Sequence, residues 1–180
     1  MDIYKLKFTR LQMEIFRLFC VKTGSSLNQS QIAKLLKVTP TAVAKALKSL
    51  EKEQIVKIAK GTTNLNIVEL NRDSKKTLEF KRAENLKLLY ESGLPEYLEE
   101  ELPGCTIIIF GSYAKGDDTI KSDIDIAVIG VDRSAIKLDQ FEKILEKPIR
   151  INYYRDFNKI NKYLKSNILN GITISGGVEL

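Results

Sequence analysis

Four residues carry most of the chemistry this sequence can offer. In "FGSYAKGDDTIKSDIDIAVIG", Phe110 to Gly130, the pair Gly111-Ser112 is followed, after ten residues, by Asp123-Ile124-Asp125. The "CTIIIF" that leads into the pair is a continuous apolar, β-branched run, the mark of a strand covered on both faces. Glycine at its end permits a sharp turn and close backbone approach. A helix starting there would turn its free N–H groups and the Ser112 hydroxyl into a phosphate cradle. In a strand, Asp123 and Asp125 point to one face, and Ile124, Ile126 and Val128 to the other. Paired carboxylates repel, and a divalent cation between them relieves the repulsion; hard oxygen donors suit Mg²⁺ or Mn²⁺. A phosphate cradle beside two such ligands is the apparatus of nucleotidyl transfer. The bland reading of the same residues is an acidic edge strand after an incidental Gly-Ser turn.

Composition narrows what else is open. Histidine is absent from the 180 residues, which excludes imidazole bases and His-metal clusters and leaves carboxylates, lysine or oxygen-held metals. Cys20 and Cys105 sit beside apolar residues and read as small buried hydrophobes. No apolar stretch is long enough for a bilayer and the first residues show no signal-peptide pattern, so the expectation is a cytoplasmic protein without a membrane partner. The net charge of +6 is unevenly spread: Met1 to Asp73 holds 13 Lys/Arg against 6 Asp/Glu, while Ser74 to Leu180 holds 16 against 17. A basic first part and a near-neutral second part imply two modules, the first facing a polyanion.

The elements of the first module follow from periodicity. "RLQMEIFRLFCV" spaces Leu11, Ile15, Leu18 and Phe19 as a helix, and Ile32, Ala33, Leu35 and Leu36 give a second, short one. Thr39 is a good N-cap and Pro40 a good first-turn residue for a third. That helix would turn Val43, Ala44, Leu47 and Leu50 inward and Thr41, Lys45, Lys48 and Lys52 outward. "IVKIAKGTTNLNIVEL" then alternates as two strands around a turn at Gly61-Thr62-Thr63-Asn64. Two short helices joined tightly, a basic outer face on the second, and a hairpin resemble the winged helix-turn-helix family. The resemblance implies duplex DNA as partner, with Thr39, Thr41, Ala42 and Lys45 near the bases and Lys48 on the same basic face. Lys57 and Lys60 would approach phosphates from the wing. A helical bundle with solvated lysines, or a protein–protein adaptor, is the other reading.

Between the modules, Asp73 or Ser74 can cap a helix whose apolar stripe would be Leu78, Leu86 and Leu89. Gly93 and Pro95 end it, and a short acidic helix runs to Pro103-Gly104. The expected division is therefore a winged helix over 1–72, a helical connector over 73–103 and an α/β domain over 104–180.

Gly111-Ser112, ten residues, then Asp123-Ile124-Asp125-Ile126 resembles the signature of the DNA polymerase beta-like nucleotidyltransferase superfamily, in its minimal branch. The whole chain is similar to archaeal proteins that couple a winged helix to such a domain. The implied fold is α+β, a winged helix-turn-helix followed by an α/β domain with a mixed sheet. By this resemblance Gly111 and Ser112 hold the phosphates of a nucleoside triphosphate, ATP in the first instance, and Asp123 and Asp125 hold Mg²⁺ or Mn²⁺ as catalytic ligands. Lys115, Lys121 and Ser122 join the candidate nucleotide set, the two lysines being equally readable as solvated loop residues.

One part of the pattern departs. Members that catalyse transfer usually carry a third carboxylate on a later strand, but "PIRINYYRDF" offers Arg150 and Asn152 there. Asp156 reads as a cap for the helix near Phe157, and Asp139 as a surface residue. Two functions therefore stand: a metal-dependent nucleotidyltransferase with an unknown acceptor, or a DNA-binding regulator whose second domain binds nucleotide or a partner without turnover. A carboxylate facing Asp123 and Asp125 would favour the first, Arg150 there the second. Association as a homodimer is open at this point, as is a HEPN-type protein partner, which family analogy alone suggests.

Overall fold

A computed structural model of the chain describes residues 8–61 and 65–178. The chain divides into two compact units, Met1–Thr77 and Leu78–Leu180.

In the first unit, helix α1 (Arg10–Val21) opens with a capping box, in which the Thr9 hydroxyl accepts from the Gln12 N–H and the Gln12 side chain accepts from the Thr9 N–H. Strand β1 (Leu27–Asn28) leads directly into α2 (Gln29–Leu36), where Asn28 and Gln31 form a second capping box. Helix α3 (Pro40–Lys52) follows after three residues, with Thr39 as N-cap and proline in its first turn. Strands β2 (Val56–Lys60) and β3 (Asn66–Leu70) complete an antiparallel sheet of order β1-β3-β2. Ile15, Phe19, Ile32, Val43, Leu47 and Leu50 are buried beneath it, each contributing about 1.5–3 kcal/mol of burial. On α3 Val43, Leu47 and Leu50 are buried as expected; the buried alanine is Ala46, with Ala44 only half-buried. Of the expected wing turn, residues 62–64 lie outside the described residues; the Gly61 N–H donates to the Leu65 carbonyl across the gap.

Helix α4 (Lys75–Glu91) starts at the end of the first unit, where the Ser74 hydroxyl accepts from the Thr77 N–H. Of the expected leucine stripe, Leu89 is buried and Leu86 packs half-buried against the same core, but the inward face also carries polar residues. Thr77, Lys81, Glu84, Asn85 and Leu89 are the buried positions, so four of its five inward residues are polar. Gly93, at φ +76°, turns the chain into α5 (Leu94–Glu101).

The second unit is built on strand β4 (Thr106–Phe110). Helix α6 (Gly111–Lys115) follows it immediately, then β5 (Ile124–Ile129), α7 (Asp139–Leu145), β6 (Ile149–Tyr154), a 3₁₀ turn over Phe157–Lys159, α8 (Lys162–Leu169) and β7 (Ile172–Ser175). The sheet has the order β6-β5-β4-β7, with β5 and β6 parallel and the other pairs antiparallel. The expected mixed sheet is thus present. Ile107 to Phe110 are buried on both faces of β4, as their continuous apolar run requires. One face packs Ile107, Ile109, Ile124, Ile126 and Val128 with Leu89, Leu94, Leu98, Phe141 and Leu145. The other packs Ile108, Phe110 and Ala127 with Phe157, Ile160 and Ile168. Asp125 belongs to this second face by alternation, paired with Phe110, while Asp123 lies one residue before β5.

Candidate active site

The site begins where β4 becomes α6. Gly111 has φ +75°, and a Cβ built there would lie 2.6 Å from Asp125 Oδ2. Glycine is required here twice, for the left-handed backbone and for the close approach of the chain to a carboxylate. Ser112 follows in the first turn, its hydroxyl without a hydrogen-bond partner among the described residues and its carbonyl accepting from the Asp117 N–H.

Asp125 sits in β5 between Phe110 of β4 and Arg150 of β6. It has no hydrogen-bond or ion-pair partner among the described residues. Burial first, and the charge of Asp123 second, push its carboxyl above the usual carboxylate range, with Arg150 opposing them. Asp123, one residue before the strand, accepts an ion pair from Arg150 Nε at 2.7 Å. The Arg150 side chain is 72% exposed against 21% for Asp123, so this pair is screened and worth about 0–1 kcal/mol. Parallel register puts Arg150 on the same face as Asp125. A cation therefore occupies the strand position where a third carboxylate was sought. Asn152 turns its amide toward the Ile126 carbonyl at 3.5 Å, and Asp156 caps the 3₁₀ turn by accepting from the Asn158 N–H. Among the described residues no group of three acidic, cysteine or histidine side chains is gathered that could hold a metal.

The remaining nucleotide candidates are placed as follows. Lys115, exposed, donates to Asn167 Oδ1 of α8 at 2.9 Å. Lys121 is exposed in the loop, its backbone N–H donating to the Thr119 hydroxyl. The Ser122 hydroxyl accepts from the Thr119 N–H at 3.0 Å, which ties down the residue before Asp123. Gly111, Ser112, Asp123 and Asp125 are thus brought together at the ends of β4 and β5, while Lys115 and Lys121 point to other partners or to solvent.

In the first unit, Thr41, Lys45 and Lys48 lie exposed on α3. The Thr39 hydroxyl accepts from the Ala42 N–H as a cap. Lys60 is exposed at the end of β2, and Lys57 is paired with Asp73.

Comparison with known proteins bears on both units. Residues 9–65 match the MarR family model, and residues 91–174 match a model described as a nucleotidyltransferase domain. The chain joins a MarR-type winged helix to a nucleotidyltransferase domain. Over 74 residues it is 35% identical to a Methanocaldococcus jannaschii protein whose name assigns it provisionally as a protein adenylyltransferase; the match covers 41% of this chain and 57% of that protein. The chain thus spans a little over half the length of that relative. Among solved structures, the adhesin competence repressor of Streptococcus pyogenes is 26% identical, with a TM-score of 0.40 over 53% of this chain and 69% of that one. The zinc-responsive MarR family member ZitR of Lactococcus lactis is 24% identical, with a TM-score of 0.39 over 53% and 67%. Among the described residues no helix is long and apolar enough to cross a membrane.

The residues missed by sequence reasoning support the nucleotidyltransferase domain from behind. Lys81 and Asn85 of α4, Asp118 of the loop and Lys147 before β6 form a buried polar cluster. A lysine and an asparagine four apart on the inward face of a helix were the available signal.

Proposed function

We propose that the protein is a DNA-binding regulator whose nucleotidyltransferase domain holds a nucleoside triphosphate, ATP in the first instance, without turning it over. The observation that carries this reading is the pair between Arg150 and Asp123, at 2.7 Å, on the strand where transfer enzymes place an acid. Arg150 supplies no base to activate an acceptor hydroxyl and competes with a cation for Asp123. A divalent cation, Mg²⁺ or Mn²⁺, still fits the remaining donors. Asp125 offers oxygens without a hydrogen-bond partner among the described residues, and Gly111 lets the backbone close on that carboxylate without a side chain in the way. Asp123 would join as second ligand once the exposed Arg150 guanidinium swings away. Bound there, the cation would neutralise triphosphate charge, while the Ser112 hydroxyl and the backbone at Gly111 orient the phosphates. Exposed Thr41, Lys45 and Lys48 on α3 and Lys60 at the wing supply the duplex-facing surface, with Thr39 and Lys57 beside them. The protein works in the cytoplasm on this reading, and pairs as a homodimer on DNA.

A second reading is transfer of a nucleoside monophosphate from the triphosphate to a protein hydroxyl, the β- and γ-phosphates leaving as pyrophosphate. The similarity to the Methanocaldococcus jannaschii protein favours it, and on this reading a HEPN-type protein would be one acceptor.

Calorimetric titration of ATP in Mg²⁺ separates these. The regulator reading expects one nucleotide per chain, loss of binding in Asp123→Ala plus Asp125→Ala, and no pyrophosphate release from the wild type. Absent binding, or equal binding by the double variant, sinks it; pyrophosphate release moves the protein to the second reading.

A further inference from the structure

The loop between the phosphate cradle and the carboxylates is braced by an ionic cluster that the ligand reading does not use. Lys81, Asp118 and Lys147 have side-chain exposures of 0%, 0% and 3%, which is unusual for charged residues. Asp118 Oδ1 is ion-paired to Lys81 and accepts from Asn85 Nδ2 at 2.7 Å. Lys147 Nζ approaches Asp118 Oδ2 at 3.0 Å, outside hydrogen-bond geometry, and donates to the Thr119 carbonyl. Asn85 Nδ2 also donates to the Tyr113 carbonyl at 3.0 Å, and the Tyr113 hydroxyl donates back to the Asn85 carbonyl, tying α6 to the same helix. Gly116 seats the loop on the α4 backbone, where a Cβ would lie 2.5 Å from the Leu78 carbonyl oxygen.

From this cluster the connections run straight to the metal-ligand position. Thr119, held by Lys147, is bonded to Ser122 through both its N–H and its carbonyl. On the far side of Asp123, the Ile124 N–H donates to the carbonyl of Pro148, the residue after Lys147. Asp123 therefore sits between two anchored neighbours: Ser122, held through Thr119 and Lys147 to Asp118, and Ile124, held to the backbone beside Lys147 at the start of the β5–β6 ladder. Well-packed apolar residues commonly replace a buried ion cluster with no loss of stability, so stability alone does not account for this one.

We propose that the Lys81–Asp118–Lys147 cluster is a positioning device for Asp123, and that metal–nucleotide affinity depends on it. The proposal rests on the nucleotide-binding reading of the site. It assigns Lys81, Asp118 and Lys147 no contact with ligand; they act through the loop from Gly116 to Ser122.

The test uses the full chain and two variants. Asp118→Asn strands two buried ammonium groups and lowers stability. The triple variant K81M/D118N/K147M removes all three charges and keeps the acceptor for Asn85, so its melting temperature returns toward the wild type. Amide hydrogen exchange and Mn²⁺·ATP affinity are measured on each. In the folded triple variant the expected result is at least tenfold faster exchange at Thr119, Lys121 and Ser122, unchanged exchange at Ile107 to Ile109, and at least tenfold weaker Mn²⁺·ATP binding. A merely structural cluster would leave the affinity of that variant within twofold of wild type, which overturns the proposal, as does unchanged loop exchange. If the wild type binds no Mn²⁺·ATP, the nucleotide reading fails separately, and the loop exchange alone then decides whether the brace exists.

Discussion

Asp125 is the residue on which the site's function and the fold's stability pull in opposite directions. Its carboxyl is raised above the usual range by burial and by Asp123, so the folded chain holds that proton more tightly than the unfolded chain does. The associated stability is fully present below the ordinary carboxylate value of 3.8 and is lost as pH rises through the higher folded value. At neutral pH the ionised Asp125 is a net cost to the metal-free fold. Asp125→Asn should therefore raise the melting temperature at pH 7, by a small amount because water screens a half-exposed carboxyl. Thermal denaturation without metal from pH 7 to pH 3.5 should show the gain shrinking as the pH falls. A variant no more stable than wild type at pH 7 would mean that Asp125 is not held against its charge.

At the scale of elements, the strand alternation around Asp123 and Asp125, the Gly111 turn and the Thr39 cap were all legible in sequence, because each depends on neighbours within a few residues. What could not be read depends on partners far along the chain. Helix α4 buries Leu89 as expected, but also Lys81 and Asn85, because Asp118 and Lys147, remote in sequence, complete them. Arg150 could be assigned to a strand, but only the parallel register with β5 sets it beside Asp125 and within reach of Asp123. The small misplacement on α3, Ala46 buried rather than Ala44, reflects packing against the first and second helices that local spacing leaves undetermined. Helix α3 also carries a prediction of its own. Lys45 and Lys48 are exposed on its outer face, and each phosphate they neutralise releases counterions. Lys45→Glu plus Lys48→Glu should weaken duplex binding and flatten the plot of log affinity against log salt by about 2, near 0.9 for each phosphate no longer neutralised. An unchanged slope, measured by fluorescence anisotropy across a salt series, would remove α3 from the DNA surface.

For the whole molecule, the uneven charge of the two units acquires a function. On the proposed reading, the unit up to Thr77, with 15 Lys/Arg against 6 Asp/Glu, addresses a polyanion, and the unit from Leu78, with 14 against 17, holds a charged ligand. A regulator needs the second to alter the first, with coupling typically worth about 1–3 kcal/mol, or roughly 5- to 150-fold in affinity. The most direct test is the affinity of the full chain for a labelled duplex, measured by anisotropy at fixed salt with and without Mg²⁺ and ATP. At least a fivefold change is expected on adding nucleotide, abolished in Asp123→Ala plus Asp125→Ala. An affinity that stays the same with bound nucleotide would contradict it.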